Sequence, residues 1–212
     1  MNLPRIKICG ITHADDASFA LAEGAVYLGF ILYEKSPRCV TLDQVRALFA
    51  DANVPEAKRV AVGVNPDPDQ LGRWKERGFA RFQLHFPHDL PRERIASWAA
   101  VVGRGNLWLA PKLPREESFP EDLLDYASVF LIDAYATDAY GGTGETADWP
   151  RFAEWKKRWP DKEWILAGGI SPENAVAAVA ATGTDWLDAN SGVESAPGTK
   201  DSAKVRALFE PW

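Results

Sequence analysis

The stretch EWILAGGISPENAVAAVAATGTDWLDAN (163–190) contains an apolar run, a glycine-bearing turn, an alanine-rich helical segment and a second apolar run. Short apolar runs without polar alternation are typical of parallel strands that are buried on both faces. Parallel neighbours need a crossover connection of a dozen or more residues, which is usually a helix. This stretch therefore predicts a strand–helix–strand unit.

The same order of strand and then helix repeats along the rest of the chain. The predicted strands lie at 5–9, 25–32, 59–65, 80–85, 106–112, 128–134, 163–169 and 186–190, and the predicted helices at 14–24, 41–51, 67–78, 91–103, 121–127, 148–159, 171–183 and 200–209. Thr41 is the expected N-cap of the second helix. Ser171, which precedes Pro172, is the expected N-cap of the seventh helix.

Eight evenly spaced units in 212 residues favour closure into a (β/α)8 TIM barrel, an α/β fold, over a doubly wound open sheet. No linker, repeat or low-complexity tract divides the sequence, so we expect one domain over residues 1–212. Most of the nine tryptophans lie beside charged residues at the ends of helical segments, which favours aromatic packing in an outer helical ring over a stacking surface.

Composition excludes several classes of function. The formal net charge is −6 and the basic residues are scattered, which argues against a nucleic-acid partner. No apolar stretch approaches the roughly 20 residues of a membrane helix, and the first residues do not resemble a signal peptide. We therefore expect a cytoplasmic enzyme. Its two cysteines should be reduced, and no ligand spacing for a zinc site is evident.

Chemistry in such barrels lies at the carboxyl ends of the strands and in the loops that follow them. The candidates at these positions are Cys9, Arg38, His85, Lys112, Asp133 and the loops at 141–144, 168–170 and 190–192. Glycine loops can be simple tight turns, but they also let backbone N–H groups approach a phosphate. Because three glycine-bearing loops follow the last three strands, at the same rim of the barrel, we predict a phosphate site there.

Two of the candidates can transfer protons. Cys9 could be a small buried hydrophobe, yet at the end of a strand its thiolate could act as a base or nucleophile. Asp133 could cap the loop that follows it, yet a carboxyl in an apolar barrel mouth has a raised pKa, which suits a general acid.

Ordered motifs along nearly the whole chain resemble phosphoribosylanthranilate isomerase. They are KICGIT (7–12), LGFI (28–31), SPR (36–38), VGV (62–64), QLH (83–85), LIDA (131–134), GGTG (141–144) with DW (148–149), LAGGI (166–170) with PEN (172–174), and DANSGVE (188–194) with PG (197–198) and KD (200–201). The resemblance implies a (β/α)8 barrel that acts in tryptophan biosynthesis on a phosphorylated small molecule, without cofactor or metal, as a monomer or homodimer.

The resemblance also implies roles for individual residues. Cys9 would be the general base and Asp133 the general acid of an Amadori rearrangement, and Arg38 would hold the anthranilate carboxylate. The other substrate-binding residues would be His85, Gly142, Gly144, Gly168, Gly169, Ser191 and Gly192.

Some features depart from the family pattern, and two alternatives stay open. Phe86 stands where relatives have glycine and is expected to reshape the rim near the anthranilate ring. The segment around Lys112 resembles the family less, and Cys39 is interpreted as a loop residue. The first alternative is a histidine-pathway or bifunctional isomerase, although those relatives use aspartate in place of Cys9. The second is a catalytically silent barrel that binds a phosphorylated ligand, which predicts loss of the acid or the base.

Overall fold

Eight parallel strands close into a barrel in chain order. The computed structural model describes residues 3–114, 116–134 and 147–212. The strands are β1 (Arg5–Ile8), β2 (Tyr27–Ile31), β3 (Arg59–Val64), β4 (Arg81–Pro87), β5 (Leu107–Lys112), β6 (Val129–Ile132), β7 (Glu163–Leu166) and β8 (Trp186–Ala189). Pairing of β1 with β8 closes the ring, with Lys7 opposite Asp188 in the register. The predicted (β/α)8 barrel is therefore confirmed.

The residues described also form seven α-helices outside the strands. These are α1 (Ala14–Ala22), α2 (Leu42–Asp51), α3 (Pro68–Glu76), α4 (Arg92–Val102), α5 (Trp149–Arg158), α6 (Ala175–Thr182) and α7 (Ser202–Phe209). Thr41 caps α2 as predicted: its hydroxyl accepts from the Gln44 N–H at 3.2 Å, and its own N–H donates to Gln44 Oε1 at 2.8 Å. This reciprocal arrangement satisfies two otherwise unpaired donors.

The strands are mostly apolar because each is buried on two faces. Outward side chains pack beneath the helices in a large core, whereas a smaller cluster that includes Val60, Val62 and Ile165 fills the barrel. Successive side chains of a strand point to opposite faces, so inward and outward positions alternate along each one. This alternation decides which side chains can reach a site inside the barrel.

Two predicted helices differ in the structure. The segment at 121–127 forms only a short 3₁₀ helix, Glu121–Asp125, because Pro120 precedes it and strand β6 follows within a few residues. The helix predicted at 171–183 begins at Ala175 with Asn174 as its N-cap residue, so the predicted cap at Ser171 is wrong. The Asn174 side chain holds this segment as a turn, accepting from the Ser171 N–H at 3.0 Å and donating to the Gly169 carbonyl at 2.8 Å.

Two tryptophans depart from the expected packing in the outer helical ring. Trp108 and Trp186 are buried inside the barrel near the amino ends of their strands. Tyr27 stacks on Trp186 with centroids 5.5 Å apart and meets Trp108 edge-on at 4.9 Å. These three rings close the floor of the barrel and leave its upper half for a site.

A β-hairpin that the sequence did not predict follows the last barrel strand. It pairs β9 (Glu194–Ala196) antiparallel with β10 (Thr199–Lys200). It brings Glu194 and Lys200 to the mouth of the barrel, beside Asn190. Across the described part of the chain, no helix has the length and apolar character that a membrane span requires.

Candidate active site

A cavity opens at the carboxyl ends of the barrel strands. Its walls come from β1 to β4 and β6 to β8 and from the loops that follow them. The lining residues are Cys9, Ile31, Tyr33, Ser36, Val62, Gly63, Val64, Gln83, His85, Asp133, Ala167, Gly168, Gly169, Ile170, Asp188, Asn190, Ser191 and Gly192. Apolar walls with a few polar groups are typical of a pocket for a small molecule.

Cys9 lies directly after β1 and lines this cavity, although only 4% of its surface is exposed. Its backbone N–H donates to the Ala189 carbonyl at 2.8 Å, which continues the β1–β8 pairing by one residue. Burial raises the pKa of the Cys9 thiol above its ordinary value, and the positive charge of Lys7 opposes that rise. The thiol thus faces a cavity in which the charge of Lys7 favours the thiolate and burial disfavours it.

Lys7 and Asp188 form a buried ion pair beneath Cys9. The Lys7 Nζ lies 2.8 Å from Asp188 Oδ1, and the Lys7 side chain is fully buried. Burial alone would lower the pKa of Lys7, but the charges of Asp188 and Cys9 outweigh it and raise that pKa. Lys7 is therefore a cation held inside the barrel.

Asp133 follows β6 and lines the same cavity as Cys9. Its Oδ1 accepts from the Ala134 N–H at 2.8 Å, which orients the carboxyl group. Burial raises the pKa of Asp133 to about 6, against the opposing effect of that hydrogen bond. A carboxyl that keeps its proton to this pH can donate it, as a general acid must.

His85 and Gln83 share the inward face of β4. Gln83 Nε2 and His85 Nε2 lie 3.0 Å apart, and Gln83 Oε1 is buried without a hydrogen-bond partner among the described residues. Burial, together with the charge of Lys7, lowers the pKa of His85 to about 4, so its imidazole is neutral at physiological pH. An unpaired buried carbonyl facing a cavity is a position where a ligand hydroxyl can bind.

Arg38 lies beside the cavity rather than in its lining. Its Nε and Nη2 donate to the Glu194 carboxylate at 2.7 to 3.0 Å, and Lys200 Nζ lies 2.8 Å from Glu194 Oε1. Lys200 also donates to Asn190 Oδ1 at 3.0 Å, which connects the cluster to the cavity wall. The structure thus holds Arg38 in a buried network at the mouth of the barrel.

The glycine loops after β7 and β8 meet at one side of the cavity. Gly168 and Gly169 have φ angles of +80° and +61°, a region that only glycine adopts without strain. A Cβ on Gly192 would lie 2.1 Å from the Ile170 carbonyl oxygen, so the two loops pack backbone against backbone. Ser191 lies next to Gly192 on the same wall. The predicted Gly142 and Gly144 lie outside the described residues.

Phe86 does not reach the rim, which corrects the expectation that it reshapes the site. It is fully buried and packs against Trp98 of α4, with ring centroids 5.6 Å apart. Because His85 points into the barrel, the next side chain along the strand must point toward the helices.

Sequence reasoning missed Lys7, Asp188 and Gln83. All three are polar residues in apolar strands, and each lies two positions from a predicted site or loop residue on the same strand face. Counting alternate residues back from Cys9 finds Lys7, and the same count back from His85 finds Gln83. Within the described ranges, no three His, Cys, Asp or Glu side chains come together in a group that could hold a metal ion.

The fold and the cavity together define a (β/α)8 barrel enzyme whose site lies at the carboxyl ends of the strands. Comparison with known proteins specifies the family. The family model described as N-(5′-phosphoribosyl)anthranilate (PRA) isomerase matches residues 6–211. The chain therefore belongs to the phosphoribosylanthranilate isomerase family.

Individual relatives agree with this assignment. The N-(5′-phosphoribosyl)anthranilate isomerase of Zymomonas mobilis is 35% identical over 211 residues, covering 97% of this chain and 96% of the relative. The crystal structure of the Thermus thermophilus enzyme is similar with a TM-score of 0.77 and 34% identity, covering 97% of this chain and 96% of that one. A relative solved in complex with reduced 1-(o-carboxyphenylamino)-1-deoxyribulose 5-phosphate has a TM-score of 0.79 and 28% identity, covering 98% and 97%.

Proposed function

We propose that this chain converts N-(5′-phosphoribosyl)anthranilate to 1-(2-carboxyphenylamino)-1-deoxyribulose 5-phosphate, a cofactor-free Amadori rearrangement in tryptophan biosynthesis. The observation that carries the proposal is that Cys9 and Asp133 line one cavity together with Gly168, Gly169 and Gly192. A base, an acid and a phosphate-binding wall are the groups that this reaction needs. The family membership of the chain supports the choice of substrate.

The first step is opening of the sugar ring, with Asp133 as the general acid. Asp133 protonates the furanose ring oxygen as the bond from C1′ to that oxygen breaks, and the anthranilate nitrogen supplies electrons to form a protonated Schiff base. The raised pKa of Asp133, about 6, supports this role because the proton is retained into the range where the reaction must run.

The second step is removal of the C2′ proton by the Cys9 thiolate. The electrons of the C2′–H bond form a C1′–C2′ double bond and neutralise the Schiff base, giving an enolamine. Tautomerisation of this enolamine moves the hydroxyl proton to C1′ and leaves the C2′ ketone. Both steps are proton transfers within one bound molecule, so positioning and two titratable groups supply much of the catalysis.

The two ends of the substrate hold the reacting carbons between these groups. The glycine-bearing wall formed by Gly168, Gly169, Ser191 and Gly192 would bind the phosphate, because such loops present backbone N–H groups. Arg38 would bind the carboxylate, since a guanidinium matches it through two parallel hydrogen bonds. His85, held neutral, suits a contact with a sugar hydroxyl. A relative crystallised with a reduced product supports an elongated ligand with these two ends.

A direct assay tests the proposal. Purified chain is mixed with freshly prepared phosphoribosylanthranilate, and the product is identified by mass and chromatography. Growth of a tryptophan auxotroph that lacks the isomerase is the matching test in cells. Conversion of the histidine-pathway aminoaldose instead, or soluble protein with no turnover, would contradict the assignment.

Substitutions at the two proposed groups test the mechanism. Cys9→Ser and Asp133→Asn should each lower kcat by about 10²-fold or more while product affinity is largely kept. Cys39→Ser is the matched control, because Cys39 lies outside the cavity lining and its change should leave turnover intact. Near-full turnover by Cys9→Ser would refute the assignment of the base. A cytoplasmic location and a monomeric or homodimeric state remain predictions.

A further inference from the structure

Lys7 lies where it can act on the proposed base. It precedes Cys9 by two residues, so both side chains point from β1 into the barrel. Lys7 is fully buried, and its Nζ donates to Asp188 Oδ1 at 2.8 Å. The register of β1 and β8 places these two residues directly opposite each other. The ammonium group is therefore fixed by two neighbouring strands.

The neighbouring glycine of β2 locates the ammonium relative to the sulfur. A Cβ built on Gly29 would lie 2.7 Å from Cys9 Sγ and 2.9 Å from Lys7 Nζ. Both polar atoms thus converge on one point of the barrel wall, and only the missing side chain of Gly29 leaves them room. A buried thiol that meets a buried cation differs from an ordinary structural cysteine, which lies among apolar groups.

The physical need for such a cation follows from the reaction. A thiolate taken from water into a closed pocket is unstable unless a positive group compensates its charge. The geometry points to Lys7, held by Asp188 and given space by Gly29, as the positioning residue that stabilises the Cys9 thiolate for proton abstraction. This inference rests on the proposed role of Cys9 as the base, and it adds a group that acts through Cys9 rather than on the substrate.

Charged groups other than Lys7 also affect the pKa of Cys9. The charge of Lys7 lowers the pKa of Cys9, that of Asp188 raises it, and Lys200 on β10 lowers it from the cavity mouth. Asp133 and His85 titrate across the cavity, at pH values of about 6 and about 4. An experiment must therefore read the ionisation of Cys9 itself and not only the rate of catalysis.

The test uses a chain in which Cys9 is the only cysteine. In a Cys39→Ser background, the rate of alkylation by iodoacetamide is followed against pH, with thiolate absorbance as a second readout. The main variant is Lys7→Gln, which keeps a hydrogen-bonding group opposite Asp188 but removes the cation. If this variant does not fold, Lys7→Gln/Asp188→Asn replaces it, and a smaller rise of the midpoint is expected there because Asp188, which raises the pKa of Cys9, is neutralised as well. Lys157→Gln removes an exposed lysine of α5 and is the matched control.

Loss of Lys7 should raise the midpoint of alkylation by about one pH unit or more and lower kcat near neutral pH by about tenfold or more. The control should change neither. An unchanged midpoint overturns the inference, even if kcat falls, because the pair would then serve only the structure. Absence of isomerase activity in the parent chain would instead refute the proposed function, and the alkylation curves remain readable in that case.

Discussion

The guanidinium of Arg38 meets the carboxylate of Glu194 along its side edge, with Nε 2.9 Å from Oε1 and Nη2 2.7 Å from Oε2. This geometry engages two of the five N–H donors that a guanidinium carries. The end of the fork, formed by Nη1 and Nη2, is the edge that could bind a second carboxylate. Glu194 thus fixes the orientation of Arg38 through the side edge, and the proposed contact with the anthranilate carboxylate would use the other edge.

Substitution of Arg38 or Glu194 should separate binding from turnover. Arg38→Ala should raise KM by about tenfold or more, because a charge-assisted contact to the carboxylate is lost, with a smaller effect on kcat. Glu194→Gln should raise KM less, since Arg38 remains but loses the ion pair that orients its guanidinium. Steady-state kinetics measure both, and an unchanged KM in Arg38→Ala would remove Arg38 from the binding site.

Glu194→Gln should also destabilise the fold. The carboxylate is buried and compensates two cations, Arg38 and Lys200, so its loss leaves them without a counter-charge. We expect the free energy of unfolding in urea to fall by about 3 kcal/mol. Arg158→Ala breaks an exposed ion pair with Glu121 and is the control, with an expected change below about 1 kcal/mol. Equal effects of the two variants would contradict a structural role for the buried pair.

Asp133→Asn should lose activity and gain stability. The pKa of Asp133 is about 6 in the folded chain, above the ordinary 3.8, so ionisation is less favourable in the folded than in the unfolded state. Stability is therefore lost as the pH rises from about 4 to about 6, and the asparagine variant escapes this loss. At pH 7 we expect it to be more stable by roughly 1 to 3 kcal/mol. Urea unfolding from pH 3.5 to 8 checks this, and a difference that does not grow over that range would contradict it.

The dependence of kcat/KM on pH should show a break near pH 6. Proton abstraction needs the Cys9 thiolate, whose fraction grows about tenfold per pH unit below its raised pKa. Donation needs protonated Asp133, whose fraction falls about tenfold per unit above about pH 6. The product of these two fractions should rise up to about pH 6 and then stay level up to the pKa of Cys9. Above the pKa of Cys9 the product should fall.

The substrate phosphate ionises near the same pH, so the variant Asp133→Asn provides the control. Its residual activity should keep rising above pH 6, because the falling fraction of acid is removed. A break that persists unchanged in this variant comes from the substrate, and the profile would then give no support to Asp133 as the acid.

Much of the fold could be predicted from local patterns. Runs such as 59–65 are apolar because both faces of the strand are buried, and their regular spacing with helical segments determined the barrel. The sequence predicted that the strands close into a barrel, but not the register in which they pair. The pairing of Lys7 with Asp188 joins residues far apart in the chain, and no local signal sets that register. The start of α6 at Ala175 depends on side-chain bonds of Asn174, which compete with helix formation.

The site, too, was predictable where local patterns indicate it and not where it depends on contacts between distant residues. Strand ends indicated Cys9, His85 and Asp133, all of which line the cavity. Phe86 lies on the outward face of β4, which follows from strand alternation next to the inward His85 but not from comparison with a family motif. The ion pair between Arg38 and Glu194 depends on a hairpin that only the folded chain forms, so the sequence alone offered no partner for Arg38.

Gly192→Ala should damage the proposed phosphate wall. A Cβ there would lie 2.1 Å from the Ile170 carbonyl oxygen and 2.8 Å from its carbon, so two backbone segments must separate. We expect a loss of about 2 kcal/mol or more in the free energy of unfolding, together with weaker competitive inhibition by inorganic phosphate. Gly72→Ala in α3 has nothing within 4 Å of the new Cβ and should stabilise the chain by about 0.5 to 1 kcal/mol. If Gly192→Ala matched the parent in both urea unfolding and phosphate inhibition, the close approach of the two loops would not be what forms the phosphate wall.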